Sequence, residues 1–157
     1  MYQPSGMYYY HYGYPPNYPM HGVFKNFQEF VNNLQKAIKD EAMAIEMYEQ
    51  MLKMAPAEHK KHIRHALEDE RKHYQMFTDL YQFLTGMKPM ITVPPVHVEC
   101  YEEAVEEAFQ RELEAAELYR DMMLSTSDYQ VRDIMFEAMT DEMEHATRFA
   151  FIYADLE

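Results

Sequence analysis

Six residues in this 157-residue chain have the types and spacing of metal ligands, and they come in two sets. Residues 66 to 81 place Ala66, Asp69, Glu70, His73, Phe77 and Tyr81. Residues 138 to 153 place Ala138, Asp141, Glu142, His145, Phe149 and Tyr153 at identical intervals. Upstream of each copy lies a second matching phrase: Ala37, Glu41, Ala44, Glu46, Tyr48 and Met51 against Ala108, Glu112, Ala115, Glu117, Tyr119 and Met122. The chain is therefore a duplication. Each half offers one lone Glu followed seven residues later by Tyr, and one Glu-x-x-His. Four carboxylates and two imidazoles on four helices are the donor inventory of two transition-metal ions.

The spacing carries the chemistry. Residues three apart on a helix point about 60° apart, so Glu70 and His73 can grip one ion, as can Glu142 and His145. Glu41 and Tyr48, like Glu112 and Tyr119, are two turns apart and nearly eclipsed. Every one of these positions falls within an apolar stripe. An unpartnered Glu in a bundle interior costs several kcal/mol or takes up a proton. A single Glu-x-x-His arises easily by chance in a chain this rich in Glu. Two, in equivalent places of a repeat and on inward faces, do not.

The elements that must position these donors are helices. Apolar residues recur with a 3.6 period from about 26 to 54, 57 to 86, 100 to 124 and 128 to 156. Pro56 suits the first turn of the second helix. Gly86 suits its end, and Ser127 with Gln130 reads as a capping box for the fourth. Pro89, Pro94 and Pro95 exclude helix from 87 to about 99. The architecture implied is all-α: an antiparallel four-helix bundle of two hairpins joined by a long crossover. The link is long enough to let helices one and three run alike. Residues 1–24 stand apart as a Tyr/Pro-rich tail, with 25–157 as the bundle. The first 22 residues hold seven Tyr and four Pro without helical or strand period. That composition reads as an extended or disordered tail, or as an adhesive, cross-linkable one.

Bulk properties narrow the function classes. A net charge of −13 and a pI near 5.0 leave no basic footprint for nucleic acid or anionic lipid. No run of 18 apolar residues suggests a membrane span. Cys100 is the sole cysteine, which excludes an intrachain disulfide and a Cys-x-x-Cys site. The N-terminus has no basic start followed by an apolar stretch, so a secretory signal is not expected and the cytoplasm is the expected location. A spore coat or surface layer is the alternative that the tail suggests.

Over residues 26 to 156 this pattern resembles the ferritin-like superfamily, in particular the rubrerythrin and bacterioferritin type of di-iron carboxylate bundle. The resemblance implies a ferritin-like four-helix bundle with Glu41 and Glu112 as terminal ligands. Glu70 and Glu142 would bridge both ions, and His73 and His145 would bind one each. Tyr48 and Tyr119 resemble the tyrosines that hydrogen-bond ligand carboxylates; otherwise they simply fill the core. Asp69 and Asp141 resemble aspartates that orient a ligating His; otherwise they are solvated. Two departures stand out. There is no rubredoxin module with paired Cys-x-x-Cys, so electrons would come from a separate donor protein. The additional Glu that rubrerythrins carry three residues after the third-helix ligand is Ala115 here.

Iron, or alternatively manganese, suits this mixed carboxylate and imidazole set better than copper, and zinc could occupy it artificially. The expected activity is reduction of H2O2 or O2, or oxidation of Fe(II). Iron storage and a structural coat role are the alternatives. A homodimer is expected, because long bundles of this type commonly pair along a face. The histidines at 59, 62 and 65 form a local cluster among Lys60, Lys61 and Arg64 and point in directions different from His73, so a second metal site is not expected there. Glu46 and Glu117 read as solvent-facing charges.

Overall fold

In a computed structural model, which describes residues 22–156, the described residues form four helices. They are α1 (Phe27–Met54), α2 (Lys60–Thr85), α3 (Tyr101–Leu124) and α4 (Tyr129–Leu156). The tail expected at the N-terminus lies, up to residue 21, outside the described residues. Its last residues are pinned to the bundle. Phe24 is buried and bridges to Thr126, and Ser127 N donates to Val23 O at 2.7 Å.

Local chemistry sets the helix ends. Asn26 caps α1 by accepting from Glu29 N at 3.1 Å. Gly86 closes α2 in the left-handed conformation, φ 72°, with its N–H returned to Gln82 O. Two ends differ from the sequence reading. The second helix starts at Lys60 rather than near Pro56, because residues 56 to 59 form a separate turn with His59 N bonded to Pro56 O. The cap of α4 is Asp128, not Ser127. The Asp128 carboxylate accepts from Gln130 N and Val131 N, both at 3.0 Å, while Ser127 is drawn aside to Val23.

Around the bundle α1 neighbours α2 and α3, and α4 neighbours α2 and α3. Every neighbouring pair is antiparallel. The hydrogen bonds of Tyr48 with Glu112 and of Tyr119 with Glu41 can coexist only if α1 and α3 run in opposite directions. This corrects the expectation that helices one and three run alike. The physical reason lies in the link. It runs extended along the full length of α1, held by Gln35 Nε2 to Met90 O and by Gln50 to both Val96 O and Val98 N. Thus α3 starts beside the end of α1, and Tyr101 reaches the buried His59 in the α1–α2 turn at 3.1 Å.

The core is layered. One apolar cluster, with Phe30, Leu34, Ile38, Phe77 and Met135, fills the end near the α1 N-terminus. A second, with Met51, Ile63, Val105, Phe149 and Ile152, fills the other end. The polar residues Glu41, Glu70, His73, Glu112, Glu142 and His145 are buried along the stretches of helix that join the two clusters. Each helix therefore contributes apolar side chains to both ends and donors to the middle.

Asp128 gives the test of this framework. Asp128→Ala leaves two backbone N–H groups at the start of α4 without their acceptor and should lower stability to denaturant by about 1–2 kcal/mol, with Asp128→Asn less damaging. Urea midpoints at constant m-value check it.

Candidate metal centre

All six donors predicted from the repeat are brought together. The four glutamates are 1–3% exposed and both histidines are fully buried. Their donor atoms form two sets. Glu41, Glu70, His73 and Glu142 make one, and Glu70, Glu112, Glu142 and His145 the other, with the atoms of each set within 4.8 Å of one another. Glu70 and Glu142 belong to both. His73 Nδ1 lies 3.0 Å from Glu142 and 3.9 Å from Glu70; His145 Nδ1 lies 3.0 Å from Glu142 and 3.2 Å from Glu70. Glu41 and Glu112 stand at opposite ends, 4.0 and 3.6 Å from their respective histidines.

The residues around the donors orient them across the duplication. His73 Nε2–H donates to Asp141 at 3.1 Å, and His145 Nε2–H donates to Asp69 at 3.2 Å. An aspartate in the other half thus holds each ring and turns Nδ1 toward the glutamates. The tyrosines cross over in the same way: Tyr48 OH donates to Glu112 and Tyr119 OH to Glu41. Their hydroxyls are satisfied by the donor layer, so these side chains do more than fill space.

Electrostatics show what this layer needs. Desolvation pushes Glu41 well above the ordinary carboxylate range, and the Glu70 charge adds to it. Desolvation, then repulsion by Glu142 and Glu112, pushes Glu70 up to about 8. Glu142 is raised by desolvation and by Glu112. Desolvation alone would lower the histidines. The bond to Asp141 and the close Glu142 carboxylate outweigh it and raise His73 to about 10, and His145 is raised as well by Asp69 and the glutamates. Without cations the layer holds protons to limit its charge. Even so, Glu70 Oε1, His73 Nδ1 and Glu142 Oε1 stay buried without a well-aligned hydrogen bond, although His73 Nδ1 faces Glu142 Oε1 at 3.0 Å and His145 Nδ1 faces Glu70 Oε1 at 3.2 Å. Buried polar atoms left so are rare in folded proteins, and here they are donor atoms of the two sets. Two divalent cations would balance four carboxylates and give those atoms partners, so the residues fit the group.

Other sequence readings divide. Glu117 is exposed and Glu46 half-buried, in keeping with charges outside the centre. His59, of the local histidine cluster, is 2% exposed and tied to Tyr101 and Asp155. His65, also assigned to that cluster, faces Asp69 at 3.2 Å and Glu144 at 3.4 Å, behind His145. The i, i+4 spacing of His65 and Asp69 was the available signal.

No protein-family model matches the chain. It is 30% identical over 145 residues to the uncharacterized protein YhjR of Bacillus subtilis (strain 168), covering 90% of this chain and 96% of that protein. Among solved structures it is similar to a hypothetical protein from Pyrococcus furiosus (TM-score 0.71, 22% identity, 80% of this chain and 88% of that one). It is also similar to a conserved hypothetical protein from Mycobacterium tuberculosis (0.70, 19%, 82% and 94%) and to a protein from Xanthomonas campestris (0.70, 18%, 83% and 92%). Likeness at these identities shows the fold alone.

Two predictions follow from the geometry. Folded Glu70 and His73 titrate above their ordinary values of 4.5 and 6.5, so the metal-free fold keeps protons that the unfolded chain releases. Its stability should be greatest in mild acid and fall from about pH 4.5, the ordinary Glu70 value, to about pH 10, the raised His73 value, whereas metal affinity should rise over that window as the ligands shed protons. Melting temperatures of the metal-free and metal-loaded protein across this range are the check. Tyr119→Phe frees Glu41 from its partner and should weaken metal binding by about 10–100-fold, read by competition with a chelator.

Proposed function

The chain belongs to the family of the uncharacterized protein YhjR of Bacillus subtilis, and we propose that it is a non-haem dinuclear metal protein of the ferritin-like, rubrerythrin-like type. Iron is the metal proposed, with manganese as the alternative. Its reaction is reduction of H2O2 or O2, or oxidation of Fe(II), with a separate protein as electron donor where turnover needs one. The observation that carries this reading is the pair of overlapping donor sets sharing Glu70 and Glu142.

When bound, two redox-active ions would supply the two electrons that splitting the O–O bond of a peroxide takes up. The chain's own residues do the rest. Glu70 and Glu142, common to both donor sets, would hold both ions. Glu41 and Glu112, steadied by Tyr119 and Tyr48, close the ends. Asp141 and Asp69 keep His73 and His145 in the orientation that presents Nδ1. The apolar layers above and below close the centre along the bundle axis, and the burial they give strengthens each charge interaction within it.

Metal analysis and turnover test this together. The iron-loaded protein should contain two ions per chain and consume peroxide. Glu70→Ala removes a donor common to both sets, and consumption should fall by about 100-fold or more, since loss of even a ligand's orienting partner costs 10–100-fold. Equal rates in the two proteins would end the catalytic reading.

A further inference from the structure

The donor layer is closed on one side and open on the other. On the α2/α4 side Asp69 and Asp141 cover the histidines, and behind them stand the His65–Glu144 contact and the Lys72–Glu137 ion pair. On the α1/α3 side a cavity of about 110 Å³ reaches inward between the helices. Its inner wall is formed by Glu41, Glu70, Glu112 and Glu142; neither histidine lines it. Its outer wall includes Lys36 and Glu114, both exposed. The space thus runs from solvent to four of the six donors.

We propose that this cleft is the route by which small reactants reach the centre, and that Ala44 and Ala115 set its width. The proposal rests on the metal-centre reading. Both alanines line the cavity, and each lies three residues after an end ligand, Glu41 or Glu112, one turn along the same helix. They are equivalent positions of the duplication, so each half contributes one small wall residue. A larger side chain at either place would project into the gap between α1 and α3. Leu118, half-buried, narrows the same space farther out. The volume accommodates a few molecules the size of water. The reactants it suits are small and compact, of the dimensions of dioxygen or hydrogen peroxide, and a branched alkyl hydroperoxide is disfavoured. The outer charges are largely paired, Lys36 with Asp40 at 2.6 Å and Arg111 with Glu107 at 2.7 Å, so size rather than charge selects.

The test uses the iron-loaded full-length protein with azide as a probe, its association followed by absorbance, alongside metal content and consumption of hydrogen peroxide and tert-butyl hydroperoxide. Ala44→Leu and Ala115→Leu, singly and together, should retain two ions per chain and slow azide association at least tenfold in the double variant. Leu118→Ala should act oppositely and raise the rate with tert-butyl hydroperoxide relative to hydrogen peroxide. Ala150→Leu, the same change on an exposed position of α4 away from the cavity, should alter none of these. Unchanged azide association in a fully loaded double variant would overturn the entrance while leaving the centre intact. If the double variant is unstable, an unchanged peroxide ratio in Leu118→Ala overturns it equally. A wild-type chain that takes up no metal would remove centre and entrance together, and metal analysis separates that failure from the other.

Discussion

Four carboxylates share a buried layer in the middle of this bundle, and charge neutralisation there is the constraint on which the rest depends. A buried carboxylate without compensation costs several kcal/mol, and a domain of this size is stable by only about 5–15 kcal/mol in all. The metal-free chain meets the constraint with protons, as the raised titration of Glu41, Glu70 and Glu142 shows. That solution is partial, because donor atoms remain without a well-aligned hydrogen bond. Two divalent cations would meet it fully, since their charge would equal that of the four glutamates. The same atoms that burden the metal-free fold would hold the ions.

The duplication is expressed as interlocking rather than as two independent sites. Each half supplies three donors, but neither half completes a set. Glu70 and Glu142 belong to both, and the orienting groups all act across the pseudo-symmetry: Asp69 on His145, Asp141 on His73, Tyr48 on Glu112, Tyr119 on Glu41. A hairpin alone would bury carboxylates it could not satisfy. The donor layer therefore ties the hairpins together, and the apolar clusters on either side add the packing that holds α1 to α2 and α3 to α4.

Much of this was visible before any coordinates. The four helices follow from the 3.6 period, because amphipathic stripes of this length have one stable use, burial against one another. The six donors follow because each sits in such a stripe at a spacing that keeps it on the inner face. The ends were less legible. Ser127 and Asp128 are both good caps in isolation, and the choice between them was made by Val23, more than 100 residues away in sequence, which takes the Ser127 N–H. The burial of His59 was not legible either, because its partners Tyr101 and Asp155 come from other helices.

Residue type and helical period by themselves determined that this chain makes four helices, each with one or two carboxylate or imidazole side chains able to ligate a metal on its inner face. Periodicity specifies a face, and a face is a local property. Only the tertiary structure decided which faces meet and in which direction. The proline-containing link lies along α1 and so starts α3 at the far end, which reverses it. That reversal sets Tyr48 against Glu112 and Tyr119 against Glu41, and it places Ala44 and Ala115 on the walls of a single cleft. Relative direction depends on the path of an extended segment that carries no period of its own, so it could be read only from the assembled chain.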